Sequence, residues 1–354
     1  MRGAFAAATL ALLVVPVGCS GHHGTPVVTG EGATITTSQP QVSRHARAPL
    51  TPARVALGLP PIKSGPVPGY LLIADRDNGR LLLISPRRKR VVWRFTGLSD
   101  PDDAFFAPGY RRISTNEEYD QTIKVISLRK HAVVWSYGHP GVRGSAPGYL
   151  SNPDDAYVLD NGLVVVADIQ NCRVLFINSH HRIVRELGRA GDCSHDPPLG
   201  LSSPNGATPL PQGGLLVTEI GGWVDRISRR GRLLYTVRTP TNYPSDAQLL
   251  RNGNILVAGF NTPGRVDEIT PTGRVVWTFA PTGHWSLDRP SLAVQWPNGK
   301  IAITDDWHHR VLVVDKRTRR VVWSYGHLNR PGTAAGYLNK PDGLDLLPAV
   351  VALG

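Results

Sequence analysis

No apolar run in this sequence approaches the roughly 20 residues that a bilayer-spanning helix requires, which excludes a bundle of such helices. Methionine occurs once and cysteine three times, an odd number that intrachain disulfides alone cannot consume. No Gly-rich phosphate-cradling loop is present, and no nucleophile, base and orienting residue stand in a recognisable pattern. Nucleotide hydrolysis and covalent catalysis therefore have no motif to support them. Glycine and proline are plentiful instead, at 37 and 30 residues, and 41% of the chain is hydrophobic. That is the composition of a turn-rich globular protein rather than a disordered one.

The N-terminus reads as an export signal: Arg2, then the uncharged and mostly apolar stretch from Ala4 to Val17, then small residues at 18–21. No twin-Arg pair precedes it. Pro16-Val17-Gly18-Cys19 resembles a bacterial lipobox, with Pro16 where Leu is usual, and implies acylation of Cys19. The expected organisation is a signal peptide over 1–19, a flexible linker over 20–62, a folded body over 63–348 and a short tail over 349–354. The linker is rich in Gly, Thr, Ser and Pro and lacks apolar periodicity. The expected location is extracytoplasmic, tethered to the cell membrane through lipid, or secreted if Cys19 is not acylated. Cys172 and Cys193 remain as a disulfide pair for an exported chain.

The formal net charge is +12; from Lys63 onward 35 Lys and Arg stand against 26 Asp and Glu. A basic exported protein points to anionic partners such as phosphorylated wall polymers or lipid headgroups.

From residue 69 the sequence repeats. Pro101, Pro153, Pro204, Pro244, Pro290 and Pro341 each open a short apolar stretch, about 48 residues apart on average. Proline suits the first position of a strand, where no ladder donor is lost. Turn signals follow at 160–162, 212–214, 252–254 and 297–300, and a looser one at 107–110. Second, third and fourth strands follow in each period. The segments 69–75, 80–85 and 91–95 are second, third and fourth strands with no first strand before them, and 341–347 is a first strand with no successors. The economical solution is an all-β ring of six four-stranded sheets, closed by pairing the C-terminal strand with the N-terminal three, which removes two open edges. A seventh sheet would need 49–60, which hold too many prolines.

SYGHPGVRGSAPGYLSNPD (136–154) and SYGHLNRPGTAAGYLNKPD (324–342) nearly superimpose, and IADRDNGRLLLI, VADIQNCRVLFI and ITDDWHHRVLVV share one hairpin pattern. These stretches resemble the inter-blade segment and the second-to-third-strand hairpin of NHL-repeat β-propellers. The resemblance spans roughly 69–347 and implies a six-bladed propeller. The VVW endings are also similar to quinoprotein-type and arylsulfotransferase-type repeats. Such propellers include binding modules, sensor ectodomains and enzymes, so function must come from the site.

In that topology fourth-to-first loops and second-to-third turns share one face, and the remaining turns share the other. Cys172 and Cys193 then lie on one face, where a bridge is feasible. Three hairpins carry an Asp at one strand end and an Arg opening the next, Asp75/Asn78/Arg80, Asp168/Asn171/Arg173 and Asp305/His308/Arg310, read as ion pairs that glue each blade. The third-to-fourth turns gather Arg87, Arg88, Lys89, Arg90, Arg129, Lys130, Arg182, Arg229, Arg230, Arg232, Arg274, Lys316, Arg317, Arg319 and Arg320. Of these, Arg87–Arg90, Arg229, Arg230, Lys316, Arg317, Arg319 and Arg320 are the expected anionic-surface patch. The opposite face receives Asp102, Asp103, Asp154, Asp155, Asp246 and Asp342, with Asp103, Asp155, Asp246 and Asp342 the expected ligand or cation set at the channel mouth. No cofactor is expected; Ca²⁺ is the ion that such an Asp ring suits. The first-strand openings, where amidating lyases and arylsulfotransferases keep reactive or zinc-binding His, hold Asp, Asn or Ser here. His139, His195, His284, His308, His309 and His327 map to the channel-mouth side; the equivalent repeat positions of His139 and His327 argue for loop packing, adjacent His308 and His309 cannot readily chelate one ion, and a His-based zinc site is not expected, while Trp93, Trp135, Trp277 and Trp323 read as inter-blade contacts. The expected function is a non-catalytic binding or sensor module. A protein, peptide or glycan would sit on its loop face and anionic lipid or wall polymer on its basic face, and an export signal removes nucleic acid. The alternative is a divalent-cation-dependent hydrolase or lyase with its site at the acidic mouth.

Overall fold

The computed structural model describes residues 58, 59, 62 and 65–349. The segment read as an export signal, Cys19, most of the segment read as a linker and the residues beyond 349 lie outside the described residues. Leu59 and Ile62, at the end of the segment read as linker, pack against the apolar cluster around Tyr70 and Leu72.

Blade 1 is built from β1 (Gly69–Asp75), β2 (Arg80–Ser85) and β3 (Arg90–Thr96). Blade 2 holds β4 (Pro101–Phe106), β5 (Arg112–Glu117), β6 (Thr122–Ser127) and β7 (Ala132–Gly138). Blade 3 holds β8 (Pro153–Val158), β9 (Val164–Asp168), β10 (Arg173–Ile177) and β11 (Ile183–Gly188). Blade 4 holds β12 (Pro204–Pro209), β13 (Leu215–Glu219), β14 (Trp223–Ile227) and β15 (Leu233–Arg238). Blade 5 holds β16 (Pro244–Leu249), β17 (Ile255–Gly259), β18 (Arg265–Ile269) and β19 (Val275–Phe279). Blade 6 holds β20 (Ala293–Gln295), β21 (Lys300–Asp305), β22 (Arg310–Asp315) and β23 (Arg320–Gly326). The last strand, β24 (Pro341–Pro348), pairs antiparallel with β1, from Gly69 opposite Pro348 to Asp75 opposite Pro341, and completes blade 1. Each sheet has four strands, and the ring closes as the repeat pattern requires.

Burial follows strand position. Every residue of β1 is buried, as is every residue of β9, β13 and β17, because the inner strands are covered on both faces by neighbouring blades. Their sequences are accordingly continuous apolar runs. The outer β3 alternates between exposed and half-buried residues. The inter-blade clusters are made by those runs, each fully buried Leu or Ile contributing about 1.5–3 kcal/mol. Trp93 meets His131 of the next blade, Trp135 stacks on His181, and the Trp277 and Trp323 indoles donate to the Lys316 and Pro86 carbonyls across a blade boundary. The SYG ending is a packing constraint. At Gly138 and Gly326, with φ of 106° and 93°, a Cβ would collide with the Gln121 and His309 carbonyls.

One strand departs from the pattern. Pro290 lies outside β20, which begins only at Ala293, because the Thr304 side chain intrudes. Its hydroxyl accepts from the Leu292 N–H at 2.9 Å and lies 3.0 Å from Ser291 Oγ, which diverts one ladder bond while the Thr304 N–H still donates to the Leu292 carbonyl at 3.1 Å.

Cys172 and Cys193 are bridged, joining the second-to-third turn of blade 3 to the loop that leaves that blade. Among the described residues no helix is long and apolar enough to cross a membrane.

Deleting 341–354 should replace the single cooperative melt with a broad transition and dye-accessible apolar surface; a sharp melt would refute closure as the source of cooperativity. The double variant Cys172→Ser/Cys193→Ser, which opens a loop of 21 residues, should lose about 3 kcal/mol of unfolding free energy in urea.

Candidate functional site

The six first strands, or the sequence just ahead of them, converge on the axis. Four of them bulge directly after their opening proline: between Pro101 and Ala104, Asp154 and Tyr157, Pro204 and Gly206, and Pro244 and Asp246. The pairing of β24 with β1 slips at the same level. A bulge re-aims the side chains it carries, and here those are the acids. Asp102, Asp103, Asp154, Asp155, Asp246 and Asp342 are all buried rather than displayed at an open mouth. Asp155 even adopts a left-handed φ of 47°, a conformation Asp and Asn tolerate best among side-chain-bearing residues.

Much of this polar belt stitches one blade to the next. Asp155 accepts from the Ala207 N–H at 2.8 Å, Asp345 from the Phe106 N–H at 2.8 Å, and Gln248 from the Gln295 N–H at 2.7 Å. Asn116 donates to the Pro153 carbonyl at 3.0 Å, Asn205 to the Ser245 carbonyl at 2.8 Å, and Ser291 to the Asp342 carbonyl at 3.1 Å. Arg76 is the one cation in the belt: its guanidinium lies 2.9 Å from Asp102, 3.1 Å from Glu118 and 3.7 Å from Asp342, above the Tyr119 ring.

One guanidinium does not balance so many carboxyls. Burial first, and neighbouring carboxylates second, hold Asp102, Asp103, Asp154, Asp155 and Asp306 well above the usual carboxylate range. Burial pushes Asp246 and Asp345 up to about 6. The belt keeps some hydrogen-bond capacity in reserve, since Asn205 Oδ1 closes no hydrogen bond.

Of the expected quartet Asp103, Asp155, Asp246 and Asp342, only Asp103 belongs to a set of three within reach of one ion: Asp102, Asp103 and Asp154 offer oxygens within 4.8 Å of one another. An all-oxygen acidic set has the chemistry of a hard cation site. Arg76, Glu118 and Asp306 were not anticipated. Each is the first residue after an acid ending a second strand (75–76, 117–118, 305–306), and that doublet was the available signal.

The glue hairpins behave as expected. Arg80, Arg173 and Arg310 donate through Nε to Asp75, Asp168 and Asp305 at 2.6, 2.8 and 2.7 Å, and each Asp also accepts from a loop N–H, of Asn339, Ser151 and Asp288. His139 and His327 pack on Tyr149 and Tyr337 at 4.1 Å in equivalent loops.

On the basic face, Arg87, Arg88, Lys89, Arg90, Arg229, Arg230, Arg317, Arg319 and Arg320 are exposed. Lys316 is not part of the free patch: it is half-buried and pairs with Glu268 at 2.5 Å and Gln295 at 2.6 Å. Lys89 leans over the Trp323 ring at 5.7 Å.

Six four-stranded antiparallel blades in a ring closed by the last strand define a six-bladed β-propeller. No protein-family profile matches the chain, and no curated protein matches it at the level of sequence. Solved structures do. The chain is similar to a protein of unknown function from Bacteroides caccae, at 18% identity and TM-score 0.57, over 78% of this chain and 98% of that one. It is also similar to a chain of a nidogen/laminin complex, at 14% identity and TM-score 0.55, over 78% and 97%. A streptogramin B lyase matches at 17% identity and TM-score 0.51, over 79% and 88%. At these identities the likeness is one of fold.

The raised carboxyls have a pH consequence. A group that binds its proton more tightly when folded contributes stability that is fully present below its unfolded pKa and lost as pH rises through the folded one. For Asp246 and Asp345 the window runs from about 4 to about 6, and the other raised carboxyls act with the same sign. Resistance to urea should therefore fall from pH 5 to pH 8. Asp155→Asn, which keeps the acceptor for Ala207 and suits a left-handed backbone, should flatten that slope; an unchanged slope would exclude Asp155 from the coupled belt.

Proposed function

We propose that this chain is an exported, membrane-tethered NHL-like propeller that works as a non-catalytic binding or sensor module. Its basic face lies on an anionic envelope polymer or lipid surface, and its loop face receives a protein, peptide or glycan. The observation that carries the reading is the segregation of charge. Arg87, Arg88, Lys89 and Arg90, with Arg317, Arg319 and Arg320 from the adjoining blade, are exposed at turn tips and have no ion-pair partner among the described residues. The axial acids are buried and bonded to the next blade or to Arg76, and Asp315 and Glu268, at the ends of third strands, are taken by Lys300 and Lys316. Unpaired surface cations of one sign create an attractive field for polyanions that salt screens within about 10 Å at 0.1 M.

A second reading keeps the acidic axis as a catalytic centre, a divalent-cation-dependent hydrolase or lyase. The proximity of Asp102, Asp103 and Asp154 favours it; one structurally similar protein is a lyase, but that likeness extends only to the fold. Elemental analysis of the purified chain and of an Asp102→Asn/Asp154→Asn variant separates the two: no stoichiometric cation that the variant loses rules out the enzyme.

For the binding reading, the wild type should sediment with anionic liposomes or phosphate-rich wall polymer at low salt and release at high salt. Each basic residue near such a surface contributes about 1 kcal/mol. Reversing Arg87, Arg88, Arg90, Arg317, Arg319 and Arg320 to Glu should weaken binding by about a hundredfold or more. Undiminished binding by the reversed variant would overturn the basic-face assignment.

A further inference from the structure

Blade 4 carries a cluster outside the axis. His195, in the loop between blades 3 and 4, places Nδ1 2.9 Å from Glu219 Oε2 at the end of β13. Asp225, on β14, completes a set in which one ligand atom from each residue lies within 4.8 Å of the others. Glu219 and Asp225 are fully buried, whereas the His195 side chain keeps 19% of its surface. Neither oxygen of Asp225, nor Oε1 of Glu219, meets a donor in full hydrogen-bond geometry, and the groups that interact with Asp225 at close range are the Thr236 hydroxyl and the Glu219 carboxyl, neither of them a cation. A buried carboxylate with both oxygens unbonded is costly unless a cation or a proton compensates it.

The other blades show what is missing. In blade 2 the equivalent of Asp225 is Lys124, which pairs with the strand-end Glu117. Blade 5 keeps an acid there, Asp267, but Arg265 grips it with Nε at 2.6 Å and Nη2 at 2.8 Å, and Thr278 adds a third bond at 2.6 Å. Blades 1, 3 and 6 put Arg80, Arg173 and Arg310 against their strand-end acids. Blade 4 alone combines both acids, and Trp223 occupies the register position that Arg265 holds in blade 5. No Lys or Arg pairs with Glu219 or Asp225 among the described residues. His195 stacks on Trp223 instead, with ring centroids 4.3 Å apart and planes 8° from parallel.

We propose that His195, Glu219 and Asp225 form a binding site for a divalent transition-metal cation of the Zn²⁺, Mn²⁺ or Co²⁺ class. One nitrogen and two carboxylates suit such an ion better than Ca²⁺ or Mg²⁺. Two ligands of one tetrahedral ion sit about 3.3 Å apart, for bonds of about 2.0–2.1 Å, and His195 Nδ1 and Glu219 Oε2 already stand near that separation. Coordination through Nδ1 leaves Nε2–H to donate to Thr236 Oγ1, 3.2 Å away, which fixes the ring and its tautomer. Ser202 N–H donates to Glu219 at 2.7 Å and orients the second ligand. The disulfide at Cys193 tethers the loop two residues before His195. A dication neutralises the two carboxylates, the task Arg or Lys performs in the other blades.

The test uses the full chain, stripped with chelator and titrated with Zn²⁺, Mn²⁺ or Co²⁺ by calorimetry, with Co²⁺ absorption and thermal melting as further readouts. One equivalent should bind, raise the melting temperature and, for Co²⁺, give visible bands of a nitrogen–oxygen site. Asp225→Asn, which preserves volume, and His195→Ala should each weaken binding about tenfold or more, while Asp160→Asn, at an exposed turn of blade 3, leaves it unchanged. Absence of stoichiometric binding, or binding that survives Asp225→Asn, overturns the proposal. Overturning would also follow if Asp225→Asn stabilised the metal-free chain to the full extent that metal stabilises the wild type, since a shared proton would then satisfy the pair.

Discussion

A carboxylate at the inner end of a second strand is buried in five of the six blades, and burial obliges it to find both a cation and hydrogen-bond donors. Asp75, Asp168 and Asp305 meet that demand alike: an Arg opening the next strand supplies the charge, and a loop N–H supplies the second donor. The loop is thereby locked to the blade that follows it. In blades 1 and 6 the same Arg reaches further, donating to the Thr333 and Tyr337 carbonyls and to those of His284 and Ser286. In blades 1, 3 and 6 one ion pair thus does three things: it neutralises an acid, ends a hairpin and fixes a long loop.

The axis follows a different rule. Burial first, and mutual repulsion second, raise the proton affinity of its carboxyls, and their hydrogen-bond capacity is turned outward to neighbouring blades. Arg76 relieves the crowding on one side only. Folding therefore concentrates acid at the centre while the turn tips stay basic, and the two charge populations are separated by the apolar layers of each blade. That separation leaves the surface cations free to act on an external polyanion.

Most of the architecture was readable in the residues because each of its devices has a local signature. Proline opens the first strands, Gly-containing turns join first to second strands, and inner strands covered on both sides are continuous apolar runs. The closure was readable because the repeat began one strand late and ended one strand early. The short β20 was not, since a Thr304 hydroxyl that diverts one ladder bond leaves no trace in periodicity. At the axis the acids were identifiable but their burial was not, because a bulge changes side-chain direction without changing the pattern. Lys316 looked like its neighbours in a basic turn and proved to be spent on Glu268. The His195 cluster was invisible for another reason: its members are 24 and 6 residues apart, and only the fold brings a loop His back over two strands.

Blade 4 shows how one change of residue requires another. With Trp223 where blade 5 has Arg265, the guanidinium that would neutralise Glu219 and hold loop carbonyls is gone. The loop from 189 to 203 nevertheless has to be fixed. It is fixed twice: covalently, by the bridge from Cys193 back to Cys172 in blade 3, and by the Ser202 N–H on Glu219. The aromatic ring serves as a platform, with His195 stacked on it and the Arg238 guanidinium 4.6 Å from its centre. Losing Arg would be the expected outcome if a loop tether were all the position had to provide, since the disulfide supplies that. It does not account for Asp225, whose charge the disulfide cannot neutralise and which a neutral residue could replace without loss of packing. The retention of two buried acids beneath a stacked imidazole is therefore a feature of the site rather than of the scaffold.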